Sequence, residues 1–283
     1  MTHSPADGSE SSDNTPNGQA QHHGPFDIVG DVHGCFDELH ELLDRLGYGV
    51  RDTTDPDGAP SHAVTAPPGR RLVLLGDLID RGPNVVAVLR LAMGMVGAGS
   101  ALCLLGNHDA KLQKKLHGRD VQLRHGLAET VARIAEQPEG FAERVAAFLG
   151  GCRPHLVLDE GRLVVAHAGL REALHGSTSR EADTFALFGD TTGQADRYGL
   201  PIRRDWAASY RGEAMMVYGH TPVPEPVWRH RTINIDTGCV FGGALTALRY
   251  PEAELVSVPA HRVYTVSPRP FLPEDVARRS VAT

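Results

Sequence analysis

The chain has 283 residues, a formal net charge of −7 and 41% hydrophobic residues, values that fit a globular protein with a substantial core. The negative charge gives no general attraction to nucleic acids or other polyanions. No apolar run approaches the ~20 residues of a transmembrane helix, and the amino terminus is polar and unlike a signal peptide. We therefore expect a cytoplasmic protein that does not bind membranes.

The composition changes along the chain and predicts three parts. Residues 1–24 are rich in Ser, Asp, Asn, Gly, Pro and Gln, which is typical of a disordered tail. Residues 25–260 are interpreted as one α/β domain. Residues 261–283 contain three prolines and are expected to form a wrapping or loose C-terminal tail.

Five short apolar segments are predicted to be buried strands, and each is followed by a small residue and by Asp, Asn or His. In chain order, the strands and the segments after them are 26–29 with Gly30-Asp31-Val32-His33-Gly34, 71–75 with Gly76-Asp77-Leu78-Ile79-Asp80-Arg81-Gly82, 101–105 with Gly106-Asn107-His108-Asp109, 162–165 with Ala166-His167-Ala168-Gly169, and 214–218 with Gly219-His220-Thr221-Pro222. Because open α/β folds bind ligands at the carboxyl ends of strands, we expect these polar side chains to converge there. The small neighbours let the backbone bend and bring the side chains close to an ion.

The segments between these strands are predicted to be mostly helical. Leucines at helical spacing predict a helix over residues 36–46 that ends at Gly47. Clusters of Asp, Pro and Gly predict a surface loop over residues 51–69. Another helix is expected to begin at Asn84, and residues 110–150 are expected to form a helical cap over one side of the site.

The polar residues at the strand ends predict a metal centre. They offer oxygen and imidazole ligands without thiolate, which suits Mn, Fe or Zn and is too rich in nitrogen for a Mg or Ca site. Six such ligands with one shared carboxylate would fill two adjacent metal sites. The six residues are Asp31, His33, Asp77, Asn107, His167 and His220.

Four cysteines lack the paired spacing of a disulfide framework, so we expect reduced thiols. Cys35 and Cys239 flank predicted active-site turns. Both are expected to be inert packing residues.

The five motifs together resemble those of the calcineurin-like metallophosphoesterases. Within that superfamily, residues 25–260 are most similar to the phosphatase module of bacterial polynucleotide kinase-phosphatase, and they also resemble the bacterial asymmetrical diadenosine tetraphosphatase. The stretches typical of this branch are residues 201–208 and 232–242. The resemblance implies an α/β fold, a four-layer metallophosphoesterase sandwich in which two packed mixed β-sheets are flanked by helices.

The resemblance also implies a binuclear metal centre that hydrolyses phosphoesters by attack of a metal-bridging hydroxide. Two divalent ions are expected, with Mn²⁺ first and Fe, Zn, Ni or Co as alternatives. In the family's arrangement Asp31 and His33 hold one ion, Asp77 bridges, and the other ion is held by Asn107, His167 and His220.

Three residues are expected to contact the substrate, and one of them, Asn107, is also a predicted metal ligand. Arg81 would grip a phosphoryl group with two parallel hydrogen bonds, and Asn107 and His108 would also bind the substrate. His108 is the candidate general acid, and Asp80 would orient it and raise its pKa. Asp236 is expected to lie behind the metal ligands, where it would support His220, or else to serve only in a turn.

The substrate is less determined by the sequence. A nucleotide phosphate or a phosphorylated nucleic-acid end is the first expectation, and asymmetrical hydrolysis of diadenosine tetraphosphate is an alternative. A protein serine/threonine phosphatase ranks lower, because residues 236–239 read Asp-Thr-Gly-Cys where those enzymes carry Ser-Ala-Pro-Asn-Tyr-Cys. A non-catalytic nucleotide-sensing module is the alternative from another class. Basic residues that could bind phosphates or simply face solvent are Lys111, Lys114, Lys115, Arg119, Arg124, Arg203, Arg204, Arg229 and Arg231.

The lysines bear on possible partners. The chain has only three, and none lies in a Gly-Lys-Ser/Thr or Lys-x-Asp-Gly motif, so we expect neither a P-loop kinase nor an adenylylating module. The phosphatase part would then act alone or with separate kinase and ligase chains. The sequence leaves the oligomeric state open.

Overall fold

The computed structural model describes residues 22–271. Its helices are α1 (Phe36–Arg45), α2 (Val85–Gly97), α3 (Asn107–Leu116), α4 (Leu127–Ala135), α5 (Phe141–Gly151) and α6 (Arg180–Phe188). Its strands are β1 (Phe26–Val29), β2 (Gly49–Thr54), β3 (Pro60–Thr65), β4 (Arg71–Leu74), β5 (Ala101–Cys103), β6 (His155–Leu158), β7 (Leu163–Ala166), β8 (Thr191–Ala195), β9 (Pro201–Arg203), β10 (Met215–Tyr218), β11 (Trp228–Arg229), β12 (Thr232–Asn234), β13 (Ala244–Tyr250) and β14 (Glu254–Pro259).

Ten of these strands form two mixed sheets. The first has the order β14-β13-β1-β4-β5. In this sheet β1, β4 and β5 are parallel to one another, and β13 is antiparallel to both of its neighbours, β1 and β14. The second has the order β11-β12-β10-β7-β6, in which β12, β10 and β7 are parallel. The five predicted polar segments follow β1, β4, β5, β7 and β10, so each lies at the carboxyl end of a parallel strand.

Alternating side chains of the strands build a four-layer sandwich. In β1 the side chain of Ile28 packs between the two sheets, whereas Val29 packs under the helices that cover the first sheet. The outer face of the second sheet packs against α6 and the segment around Trp206. The layers are therefore helices, sheet, sheet and helix, and the predicted fold class is confirmed.

The surface loop predicted over residues 51–69 is wrong. Strands β2 and β3 form an antiparallel hairpin there. Asp55 and Asp57 lie in its turn and form ion pairs with Arg90 of α2, whose side chain is 2% exposed. The Asp-Pro-Asp-Gly cluster marks only this turn, and the ion pairs that anchor it join residues more than thirty positions apart.

Part of the predicted C-terminal tail wraps the domain. The Tyr264 hydroxyl donates to Glu38 Oε1 at 2.8 Å, and the Phe271 ring lies 6.0 Å from that of Phe241. Residues 1–21, which make up most of the predicted disordered tail, and residues 272–283 lie outside the described residues, so the predicted domain boundaries stay predictions. Among residues 22–271, no helix is both long and apolar enough to cross a lipid bilayer.

His155, a buried histidine outside the predicted set of metal ligands, is expected to make the stability of the protein depend on pH. His155 of β6 is 8% exposed, and burial, with the positive charges of His175 and Arg153, lowers its pKa to about 4. The unfolded chain takes up this proton near pH 6.5 and the folded chain only near pH 4. The free energy of unfolding is therefore expected to fall by about 3 kcal/mol from this group as the pH drops between those values.

The measurement is urea unfolding of the wild type and of His155→Gln at several pH values. The variant cannot take up the proton, so its free energy of unfolding should fall less steeply with acid. Equal pH dependence in the two proteins would show that His155 is not held neutral.

Candidate active site

Asp77 lies at the centre of the converging loops. Its Oδ2 is 3.6 Å from His33 Nε2, and its Oδ1 is 3.5 Å from His167 Nε2. The same Oδ1 accepts the backbone N–H of His108 at 2.9 Å. The structure thus places Asp77 between two predicted groups of ligands, where the sequence analysis put a shared carboxylate.

Two groups of potential ligand atoms meet at Asp77. Within each group the atoms lie within 4.8 Å of one another, and the groups are His33, Asp77 and His108, and Asp77, His167 and His220. His167 Nε2 also lies 3.1 Å from Asn107 Oδ1 and 3.1 Å from His220 Nδ1. Asn107 therefore joins the second group, and His108 lies closer to the first group than the sequence indicated.

Backbone carbonyls orient two of these imidazoles. His33 Nδ1 lies 2.7 Å from the Ile79 carbonyl oxygen, and His167 Nδ1 lies 3.1 Å from that of Leu75. A carbonyl only accepts, so each Nδ1 carries the proton and each Nε2 keeps a lone pair for a metal ion.

Asp31 follows β1 of the first sheet, and its carboxylate contacts the loop that follows β10 of the second sheet. Both of its carboxylate oxygens accept the backbone N–H of His220 at 3.2 Å. The Asp236 carboxylate accepts the backbone N–H of Gly238 at 3.0 Å, and its charge acts strongly on Asp31. Among the described residues, no hydrogen bond joins Asp236 to the ring of His220, so a supporting role for Asp236 stays a prediction.

The backbone is unusually bent around the site. Of the ten non-glycine residues with positive φ in the described range, five belong to the predicted site: His33, Asp77, Asp80, Arg81 and His220. A Cβ at Gly106 would lie 2.2 Å from the backbone nitrogen of Asp77, and one at Gly219 would lie 2.3 Å from Asp31 Oδ1. Glycine, which has no Cβ, is therefore required at these two positions of the site.

The charges of the buried carboxyls are not balanced within the chain. Burial raises the pKa of Asp77 and that of Asp236 to about 7. Burial, together with the charges of Asp236 and Asp77, raises the pKa of Asp31 well above its usual range. Carboxylates crowded in this way are stabilised by bound cations.

The imidazoles present neutral donors to the same space. Burial lowers the pKa of His167 to about 3, and burial followed by the Arg81 charge lowers that of His33. Burial, His167 and Arg203 lower the pKa of His220. Neutral imidazoles beside uncompensated carboxylates are the donor set that divalent transition metals bind, so the residues present fit such ions.

His108 and Asp80 form a hydrogen-bonded pair next to this donor set. His108 Nδ1 donates to Asp80 Oδ2 at 2.5 Å, and Thr130 of α4 donates to Asp80 Oδ1 at 2.6 Å. Burial raises the pKa of Asp80 to about 6. Burial, followed by the Arg81 charge, lowers the pKa of His108 well below its usual value. The pKa of His108 is thus lowered on balance, and the expected upward effect of Asp80 on this pKa stays a prediction.

Two arginines flank the donor set. Arg81 Nη1 lies 2.6 Å from His33 Nε2, and its guanidinium lies over the Phe241 ring, 5.2 Å from the centroid. Arg203 of β9 places Nη2 2.6 Å from His220 Nε2. From the basic residues that the sequence left undecided, the fold selects Arg203, whereas its neighbour Arg204 forms an ion pair with Asp190.

A cavity of about 250 Å³ opens beside Arg81. Its wall comes from the start of α4 and the segment after β14, and its polar lining residues are Arg81, His125, Glu129, Thr130, Arg133 and Thr265. Because these residues are far apart in the chain, no local pattern predicts this cavity or the contact of Thr130. The cap predicted over residues 110–150 thus includes α3, α4 and α5, and α4 reaches the site.

Comparison with known proteins gives consistent matches. The model of the family described as calcineurin-like phosphoesterase matches residues 24–256. A protein of Halalkalibacterium halodurans named bis(5′-nucleosyl)-tetraphosphatase PrpE [asymmetrical] is 49% identical over 241 residues, which cover 84% of this chain and 94% of that protein. The Bacillus subtilis protein of the same name is 44% identical over 246 residues, covering 86% and 97% of the two chains.

Among solved structures, one named only provisionally as a diadenosine tetraphosphatase has a TM-score of 0.60 at 24% identity and covers 85% of this chain and 96% of its own. A protein serine/threonine phosphatase from Saccharomyces cerevisiae has a TM-score of 0.54 at 12% identity, covering 87% and 81% of the two chains. At these identities the two structures establish a shared fold.

Proposed function

The chain belongs to the calcineurin-like phosphoesterase family and is a hydrolase of phosphoric esters, and we propose that its substrate is a dinucleoside tetraphosphate such as diadenosine tetraphosphate. Water would cleave the tetraphosphate chain unequally, giving one nucleoside triphosphate and one nucleoside monophosphate. The two relatives are named as asymmetrical bis(5′-nucleosyl)-tetraphosphatases, in agreement with the resemblance of the sequence to the asymmetrical diadenosine tetraphosphatase. Similarity to the polynucleotide kinase-phosphatase module, and any kinase or ligase partner chain, stay predictions.

The observation that carries the proposal is the pair of overlapping donor groups that share Asp77. The family uses a dinuclear divalent metal centre. In this chain Asp31 and His33 would hold one ion, Asn107, His167 and His220 the other, and Asp77 both. The oxygen and nitrogen donors favour Mn²⁺. When bound, the ions supply charge neutralisation at the phosphoryl oxygens and a nucleophile at neutral pH.

The residues around the donor groups would position the substrate and move the proton. Arg81 would hold a phosphoryl group by paired hydrogen bonds while its guanidinium rests on Phe241. Because Asp80 holds His108 Nδ1, the Nε2 of His108 is left to donate a proton to the leaving oxygen. Burial and Arg81 lower the pKa of His108, and the negative charges of a bound phosphate chain would favour its imidazolium form.

The flanking groups support a substrate with a chain of phosphates. Arg81 and Arg203 contact ligands of opposite donor groups, so two guanidiniums are available along one polyphosphate. The cavity of about 250 Å³ beside Arg81 offers room for a nucleoside end. The net charge of −7 disfavours the binding of long nucleic acids. A phosphorylated oligonucleotide end is therefore only the second candidate substrate.

The test compares kcat/KM of the Mn²⁺-loaded protein for diadenosine tetraphosphate, a 3′-phosphorylated oligonucleotide and a phosphoserine peptide. We expect the dinucleotide to be preferred by at least about tenfold, which corresponds to about 1.4 kcal/mol. The expected products are ATP and AMP in equal amounts. Two molecules of ADP, or a preference for the oligonucleotide, would contradict the proposal.

Arg203→Ala tests the contact with the phosphate chain in the same assay. A hydrogen bond to a charged group is worth about 1.5–3 kcal/mol, so kcat/KM for the dinucleotide should fall by about 10–150-fold. Arg204→Ala is the matched control, since this arginine pairs with Asp190 and should leave the rate close to wild type. Equal effects of the two substitutions would place Arg203 outside the substrate site.

A further inference from the structure

A second cluster of ligand-type side chains lies apart from Asp77. It consists of Cys35, Glu38 and Cys239, whose sulfur and carboxylate atoms lie within 4.8 Å of one another. Cys35 immediately precedes α1, and Glu38 follows one turn later on the same face. Cys239 comes from the loop after β12. All three are at most 1% exposed.

The carboxylate of Glu38 is only half satisfied. Its Oε1 accepts the backbone N–H of His261 at 2.9 Å and the Tyr264 hydroxyl at 2.8 Å. Its Oε2 is buried and has no hydrogen-bond partner among the described residues. A buried carboxylate oxygen without a donor is costly, so this atom calls for a positive partner.

We propose that Cys35, Glu38 and Cys239 bind a thiophilic divalent cation, with Zn²⁺ as the first candidate. Two thiolates and one carboxylate make three of the four ligands of a tetrahedral zinc site, and the cation supplies the missing partner of Glu38 Oε2. Both thiols release their protons when the ion binds. The two cysteines then act as ligands, in contrast to the inert packing that the sequence analysis expected.

His261 is the candidate for the fourth ligand. Its side chain is 46% exposed, its Nδ1 lies 4.0 Å from Glu38 Oε1 and its Nε2 lies 3.2 Å from Glu41 Oε2, so the ring would exchange its contact with Glu41 for the ion. The exposed ring also marks the side from which an ion enters, because the other three ligands are buried.

The position of the cluster gives the ion a structural role. Cys35 lies two residues after His33, and Cys239 lies three residues after Asp236. A bound ion would therefore tie together the loops that carry these two residues. The donor types also separate the two sites, because sulfur favours Zn²⁺ while the sulfur-free donors around Asp77 suit Mn²⁺.

The remaining cysteines provide a matched control. The thiol of Cys103, which is buried, lies against that of Cys152, which is half-buried. The carboxylate nearest to this pair in the chain, Asp109, already accepts the backbone N–H groups of Leu78 and Gly106 at 3.1 Å. Among residues 22–271, this second pair belongs to no group of three ligand atoms within 4.8 Å of one another.

The experiment titrates the full chain, loaded with Mn²⁺, with Cd²⁺ and follows the ultraviolet charge-transfer absorption of cadmium bound to thiolate. We expect the absorption to saturate at one Cd²⁺ per chain and to disappear when Zn²⁺ is added. Cys103→Ser should keep the absorption and Cys239→Ser should lose it. Glu38→Gln should weaken Cd²⁺ binding by more than about tenfold, the lower limit for loss of an outer-sphere partner.

The readout is independent of the proposed phosphoesterase substrate, because the donors around Asp77 contain no sulfur. Absence of the absorption in the wild type would overturn the proposal, whether or not the variants fold. Absorption that survives in Cys239→Ser and disappears in Cys103→Ser would assign the ion to the other thiol pair and would also overturn it. Circular dichroism of each variant confirms that the fold is kept.

Discussion

Asp77→Asn is expected to reduce hydrolysis by more than about 10²-fold, since loss of an outer-sphere partner of a metal ligand already costs about 10–100-fold. The substitution removes the charged oxygen that both donor groups share. It keeps the size of the side chain, and the amide oxygen can still accept the backbone N–H of His108. The measurement is phosphate or nucleotide release by the Mn²⁺-loaded variant.

Stability separates this result from unfolding. Burial raises the pKa of Asp77 to about 7, so ionisation of this carboxyl at neutral pH lowers the free energy of unfolding of the metal-free protein. Metal-free Asp77→Asn should therefore be at least as stable to urea as the metal-free wild type. Asp52→Asn is the matched control, because Asp52 has the same side chain at 98% exposure and should change neither rate nor stability. Full activity in Asp77→Asn would show that the charge of Asp77 is not needed for hydrolysis.

His108→Asn is expected to have an effect that depends on the leaving group. For an alkyl phosphate, whose alkoxide needs a proton, the rate should fall by about 10²–10⁴-fold. For p-nitrophenyl phosphate, whose nitrophenolate leaves without a proton, the loss should be smaller, and the tetraphosphate, with its acidic leaving oxygen, should fall between the two. The measurement is kcat for the three substrates.

His125→Asn is the control for this series, since His125 lines the cavity beside Arg81 but is not paired with Asp80. Its effect should not vary with the leaving group. An equal loss for all three substrates in His108→Asn would mean that His108 positions the substrate and does not donate the proton.

The parts of the site that the sequence predicted are those encoded locally. Each predicted ligand follows a buried strand within a few residues, as Asp31 follows β1 and Asn107 follows β5. Because parallel strands end at one edge, the strands alone predict that the polar residues meet within each sheet, whereas the approach of the two sheets to one another comes from the fold. The two-sheet sandwich followed from the resemblance of the motifs and is confirmed by the fold.

The parts that were missed depend on residues distant in the chain. Thr130, which donates a hydrogen bond to Asp80, is fifty positions away from it in the chain. Arg203 and Arg204 are neighbours in the sequence, and only the fold shows that Arg203 contacts His220 while Arg204 pairs with Asp190. The net lowering of the pKa of His108 was also missed, because burial and the charge of Arg81 act on it only in the folded chain. The hairpin of β2 and β3 was missed because its turn residues are typical of a loop, while β2 is mostly exposed and β3 is mostly half-buried, so neither strand has a strong apolar pattern.

Counting bound Mn²⁺ by equilibrium dialysis tests the central claim, a shared Asp77 between two metal sites, most directly. The wild type and Asp52→Asn are expected to bind two Mn²⁺ per chain, and Asp77→Asn to bind both ions more weakly by at least about tenfold. A single Mn²⁺ per wild-type chain, or two ions held by Asp77→Asn with wild-type affinity, would contradict the account.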